Sequence, residues 1–242
     1  MLPDNLSILQ LTLALAACVL GATVQGVVGF GFSLLSVPLC ALISPSLVPV
    51  PQALVSLFVS LPMAWHGRRH IEFRRVAWIL AGWVPGVAVG IGLLKVLSAQ
   101  ALNLALALFV LGTVALLTFG MRLTRRPPTE VGVGLFAGLG SLVSSISGPP
   151  VALLYRNETG ASLRANLAFI FVAGVLLSLL GRVLSGEIAW RDMHIGALLL
   201  PAVVVALQVA KRIAPHVEGA RLRKAVLILA TASGVALLIR AL

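Results

Sequence analysis

The segment LTLALAACVLGATVQGVV, Leu11 to Val28, holds no charged side chain, and runs of this kind recur down the chain. About 20 predominantly apolar residues in helical form cross the ~30 Å hydrocarbon core of a bilayer. Hydropathy marks eight such runs, near 6–28, 47–66, 76–97, 99–120, 130–155, 163–184, 194–214 and 221–241. Mean hydropathy is +1.08 and only 10% of residues are charged, whereas soluble domains carry about 25%. An aqueous fold cannot hide that much apolar surface, so lipid is the solvent. The expected fold class is an all-α integral membrane protein of about eight transmembrane helices.

The formal net charge is +11. In an aqueous domain that excess would suggest nucleic acid. Here the Lys and Arg residues fall in short connections between apolar runs, where basic residues set topology against anionic headgroups. The expected partners are therefore the lipid bilayer and a small solute, with no nucleic acid; a homodimer stays open. Cys18 and Cys40 both lie in apolar runs, which argues against a disulfide framework.

Two of the runs are damaged. GFGFSLLSVP (Gly29–Pro38) and SLVSSISGPP (Ser141–Pro150) place Gly and Pro where a spanning helix should continue. Residues 29–46 read as a re-entrant segment or an extra crossing. One constant offset lays Gly26 on Gly138, Ser33 on Ser145, Pro38 on Pro150 and Ala53 on Ala165. After a small insertion, Ile71–Arg74 falls on Ile188–Arg191, Pro85 on Pro201 and Lys95 on Lys211. The shared order reads as a duplication, with halves 1–121 and 130–242 joined by a basic linker at 122–129. Broken helices at corresponding places in two halves point to the binding site of a secondary transporter. A break frees backbone polar groups that lipid cannot satisfy, so it must face protein or water. The N–H groups that open a half-helix suit an anion.

All seven acidic residues, Asp4, Glu72, Glu130, Glu158, Glu187, Asp192 and Glu218, lie in loops or at span ends. The lack of an intramembrane carboxylate argues against a cation substrate and a carboxylate proton relay. An anion held by dipoles and hydroxyls remains. Ser141, Ser144, Ser145 and Ser147 precede Gly148–Pro149–Pro150, and Ser33 and Ser36 hold related places in the first half. Serine hydroxyls donate to an oxyanion without a full charge; they also simply permit close helix packing. Pro149 and Pro150 lack N–H groups, which removes amide donors from the second break.

Gln52 and Arg164 match under the offset, each opening the span after its break, with Asn166 half a turn beyond. Arg164 is read either as a planar fork over an anion or as a snorkelling side chain. Lys95, Lys211, Arg156 and Arg182 read as snorkelling. Phe30 and Phe32 flank Gly31 and either gate a cavity or fill space. Trp65, Trp78, Trp83 and Trp190 read as an interfacial belt, and Gly82, Gly86 and Gly90 as a helix-packing face. His66, His70, His194 and His216 flank the spans without a ligand pattern, so no metal or cofactor is expected. With no nucleophile–base pair, the chain does not read as an enzyme.

GVVGFGFSLLSVPL and GLGSLVSSISGPPVALLYRNETGASLRANLAFIF resemble the TauE/SafE family, the sulfite exporter or TSUP permeases, and the resemblance runs from Gly21 to about Lys211. The family's frequent Gly-Gly-Gly signature is replaced here by Gly-Phe-Gly-Phe and Ser-Gly-Pro-Pro. The resemblance implies a multi-pass bacterial inner-membrane carrier of sulfite, a sulfonate or a related organic anion, with both breaks lining its path. The expected binding set from the first half is Gly29, Phe30, Gly31, Phe32, Ser33, Pro38 and Gln52. From the second it is Ser144, Ser145, Ser147, Gly148, Pro149, Pro150, Arg164 and Asn166. The expected function is export of such an anion by alternating access. The alternatives are a passive anion channel, or a membrane protein with no transport role, such as an assembly factor or an intramembrane enzyme.

Overall fold

A computed structural model describes residues 6–119, 123–155, 158, 160–214, 216 and 219–241. Asp4, Arg122, Arg156 and Glu218 lie outside the described residues. Every regular element among the described residues is helical. The first half contains α1 (Ile8–Val28), α2 (Phe32–Ile43), α3 (Val50–Gly67), α4 (Phe73–Val96) and α5 (Ala99–Phe119). The second contains α6 (Pro127–Ser144), α7 (Gly148–Leu154), α8 (Gly160–Leu184), α9 (Trp190–Leu199), α10 (Pro201–Ile213) and α11 (Gly219–Ala241).

Among the described residues, seven segments are long and apolar enough to cross a bilayer: Ile8–Val28, Pro45–His70, Phe73–Val96, Gln100–Phe119, Gly160–Leu184, Trp190–Ile213 and Lys224–Ala241. These match seven of the eight expected runs. The eighth, 130–155, is not one continuous helix. It is divided by Ser145–Ser147 into α6 and the seven-residue α7. Pro201, placed at the first position of α10, separates that helix from α9 within a single apolar segment.

Each break folds the chain back on itself. Gln10 near the start of α1 donates to the carbonyl of Ile43 at the end of α2, and Cys18 lies beside Cys40. Helix α2 is therefore antiparallel to α1. Arg125, just before α6, lies 4.1 Å from the ring centre of Tyr155, just after α7, and pairs with Glu130 and Glu158. The second hairpin is thereby closed at its base. Contacts also fix direction. Gln52 meets Cys18 and Ser60 meets Gln25, so α3 runs parallel to α1. Helix α4 turns back after Arg68–His70. Gly134 abuts Ile79 and Gly138 abuts Trp83, so α6 runs parallel to α4 and antiparallel to α1. The two hairpins thus enter the bundle from opposite faces.

The helices pack across the halves: α1 against α10, α4 against α6, α3 against α8, and α5 against α11. The α4–α6 contact is the tightest. A Cβ on Gly82 would stand 1.9 Å from the Val131 carbonyl oxygen, and one on Gly134 1.9 Å from that of Ile79. This is the packing face expected of Gly82 and Gly86. Gly82→Val therefore forces backbones apart, and we expect no folded protein at 37 °C in detergent, read as loss of a monodisperse peak and of cooperative melting. Gly92→Ala, where a Cβ meets nothing within 4 Å, is the control and should melt like the parent.

Two expectations are corrected. Trp83 does not belong to an interfacial belt: it sits mid-helix, fully buried, and its indole N–H donates to Ser178 Oγ at 3.1 Å. Gly138 and Gly174, which lie against its ring, supply the room. Trp65 and Trp190 are largely exposed near helix ends, as a belt requires. Arg182 does not snorkel either. It is 4% exposed and donates to the carbonyl of Leu142. Leu142 is in the last turn of α6, where the break has removed the intrahelical partners of the carbonyls, so a buried donor is needed there.

Candidate functional site

Both breaks are built from left-handed backbone. Gly29 ends α1 at φ 97° and Gly31 precedes α2 at φ 118°, a region where a side chain is strained. In the second break the same task falls to Ser145, at φ 59°. A serine tolerates this because its hydroxyl donates to the Pro49 carbonyl at 2.7 Å, tying the break to the start of α3.

The two breaks meet at a small cavity. Gly31, Ser33 and Leu34 line it from the first hairpin, and Ser147, Gly148 and Pro149 from the second. Gln25 on α1, Ser56 on α3 and Phe171 on α8 complete the wall. The cavity leaves about 10 Å³ for the centre of a water-sized molecule, room for about one water.

The hydroxyls sort into two groups. Ser144 donates to Gly140, Ser145 to Pro49 and Ser36 to Phe32, all carbonyls. Trp83 donates to Ser178, which in turn donates to Ser141. Those serines are committed to the fold. Ser33, Ser56 and Ser147 have no hydrogen bond from their hydroxyls to any protein atom among the described residues, and all three face the cavity. Ser56 and Ser147 are 5% and 4% exposed, so their donors turn inward rather than to lipid or bulk water. Backbone donors join them. The first N–H groups of α2 lack intrahelical partners, and Ser33 and Leu34 belong to that turn. Helix α7 begins Gly148–Pro149–Pro150 and offers fewer. The amide donors therefore come from the first break, and hydroxyls come from both.

Of the expected binding residues, the structure brings Gly31, Ser33, Ser147, Gly148 and Pro149 to one cavity. Phe30 is close behind, its Cβ 3.8 Å from where a Gly148 Cβ would stand. Gly29 lies against Arg164, whose Cγ would be 3.2 Å from a Gly29 Cβ. The rest are elsewhere. Phe32 is fully buried, with its carbonyl against Gly21; Pro38 is buried within α2. Pro150 is buried in the first turn of α7, outside the cavity wall. Gln52 is fully buried and donates to the sulfur atoms of Cys40 at 3.2 Å and Cys18 at 3.6 Å. Asn166 accepts from the Glu72 N–H at 2.8 Å and donates to Ser162, pinning α8 to the start of α4. Gln25, Ser56 and Phe171 were not singled out. Gln25 carried a signal, as an amide inside an apolar run with a buried partner in Ser60 at 2.9 Å; Ser56 and Phe171 carried none.

A second, larger cavity of about 420 Å³ opens between the ends of α1, α3, α8 and α10. Gly26, His66, His70, Arg164 and Lys211 line it. Its inner end reaches the first break, because Gly26 faces it while the adjacent Gln25 faces the small cavity.

A family model described as "Sulfite exporter TauE/SafE" matches residues 13–237. The protein named "Probable sulfite/organosulfonate exporter TauE" from Cupriavidus necator is 27% identical over 218 residues, 84% of each chain. No solved structure matches.

Proposed function

We propose, from the premise that the chain belongs to the sulfite exporter TauE/SafE family, that it exports a small oxyanion such as sulfite or an organosulfonate across a bacterial inner membrane by alternating access. The observation that carries this reading is the cavity lined by both breaks, with the uncommitted hydroxyls of Ser33, Ser56 and Ser147 turned into it.

The chemistry suits a carrier. An oxyanion presents several acceptor oxygens, and hydroxyl and amide donors satisfy them without a fixed counter-charge. Release is then as accessible as binding. The cavity's size fits a state closed around the site, since sulfite is larger than one water. The hairpins enter from opposite faces, and each half packs its first helix on a helix of the other: α1 on α10 and α6 on α4. We read 1–121 and 130–242 as inverted repeats that rock about the cavity, joined at 122–129. Opening one face parts one hairpin from its neighbours while the other stays closed.

Counterflow tests this. Vesicles holding the purified protein and preloaded with unlabelled sulfite should take up external radiolabelled sulfite faster than empty vesicles, with a transient overshoot. Flux that ignores the trapped anion would indicate a passive channel and contradict the carrier reading.

A further inference from the structure

We infer that the 420 Å³ vestibule is an electrostatic capture site for the transported oxyanion, in which Arg164 and Lys211 take the ion before it reaches the cavity between the breaks. The inference rests on the transport reading above and adds a second station on one face of the membrane.

Four nitrogen-bearing side chains, Arg164, Lys211, His66 and His70, line the vestibule, and no Asp or Glu among the described residues does. Arg164 and Lys211 are exposed, and neither has an ion pair or hydrogen bond to protein among the described residues. Some other basic side chains are engaged: Arg75 pairs with Glu72, Arg125 with Glu130, Arg182 donates to Leu142 and Arg240 to Leu42. Two cations with no acidic partner among the described residues, set in one concave space, focus potential and raise the local anion concentration. The Arg164 guanidinium presents a planar fork that matches two oxygens of an oxyanion, and Lys211 adds a compact point charge.

Position supplies the handover. Arg164 faces the vestibule while its stem lies against Gly29, the first residue of the first break. The corresponding position of the first half lacks the charge. Gln52 holds Arg164's place under the sequence offset, yet it is uncharged, fully buried and bonded to Cys18 and Cys40. Capture is therefore one-sided, and the two faces should differ in apparent affinity.

A phospholipid headgroup shares this chemistry, so the test separates the two sources. Initial sulfite flux is measured in vesicles of phosphatidylcholine alone and with phosphatidylglycerol added, at low and high salt. The proteins are wild type, Arg164→Gln, Lys211→Gln, the double variant, and the charge-conserving Lys211→Arg. In phosphatidylcholine at low salt, the double variant should need roughly tenfold more sulfite for half-saturation, with its maximal rate within about twofold of wild type. Lys211→Arg should behave as wild type, and high salt should erase the difference. An unchanged half-saturation in both single variants and the double would overturn the capture site while leaving transport intact. An effect confined to vesicles containing phosphatidylglycerol would overturn it in favour of headgroup anchoring. No sulfite flux from wild type would instead remove the transport reading on which the inference stands.

Discussion

Replacing Ser33 and Ser147 together by alanine is expected to lower sulfite flux at sub-saturating concentration by at least roughly a hundredfold, with the protein still folded in the membrane. A hydrogen bond to a charged partner contributes about 1.5–3 kcal/mol, and each 1.4 kcal/mol is a factor of ten. Two such bonds correspond to roughly 3–6 kcal/mol, or about a hundredfold to ten-thousandfold. The folded state should not suffer, because neither hydroxyl bonds to protein among the described residues. Ser144→Ala is the matched control. Its hydroxyl donates to Gly140 one turn back in the same helix, so its removal should change flux by less than about threefold. Initial rates of radiolabelled sulfite efflux, normalised to protein recovered in the vesicles, decide between these outcomes. Equal losses in Ser144→Ala and in the double variant would mean that serine content, not the cavity, governs transport.

Gly31→Val is the second large effect, and it acts through the backbone. Gly31 sits at φ 118°, and a Cβ there would stand 2.9 Å from Val24 Cγ1. Left-handed strain costs about 1–3 kcal/mol for a side-chain-bearing residue, and the β-branch of valine adds to the clash. The Gly31 carbonyl also accepts the first intrahelical bond of α2, from the Leu35 N–H at 3.2 Å. A shifted backbone would misplace the Ser33 and Leu34 donors as well. The expected result is no flux, and a thermal midpoint in detergent lowered by several degrees or more. Gly31→Ala should fall between wild type and valine in both readings. A valine variant that melts and transports like wild type would show that the break does not need this conformation.

The sequence displayed the membrane architecture because the signal is cumulative: some twenty apolar residues in succession are legible whatever their neighbours are. Seven of the eight expected runs coincide with segments long and apolar enough to cross a bilayer. The interruption of 130–155 at Ser145–Ser147 was legible only as a cluster of Ser, Gly and Pro. Its geometry depends on a tertiary bond from Ser145 to Pro49. The candidate site was half legible for the same reason. Gly31, Ser33, Ser147, Gly148 and Pro149 reach the cavity, whereas Ser144 and Ser145 satisfy backbone carbonyls instead. Nothing in a one-letter string distinguishes a serine that donates to its own helix from one that faces a cavity. Gln52 and Asn166 occupy the expected places along the chain, but each turns to a structural partner that is remote in sequence. Trp83 and Arg182 were misjudged because distance from a span end was used as a proxy for exposure. Missing side chains on Gly138 and Gly174, and an orphaned carbonyl at Leu142, made buried places for both.

The central claim is that an oxyanion binds between the two breaks on the hydroxyls of Ser33, Ser56 and Ser147. Its most direct test is a sulfite titration of thermal unfolding, in salt-matched buffer, with wild type and the Ser33→Ala/Ser147→Ala variant side by side. A ligand bound only by the folded state stabilises it by RT ln(1 + [L]/Kd). Wild type should gain a saturable rise in midpoint with sulfite, and the double variant, starting from a similar midpoint, should show almost none. An equal, saturable rise in both proteins would contradict the account by placing the bound anion elsewhere.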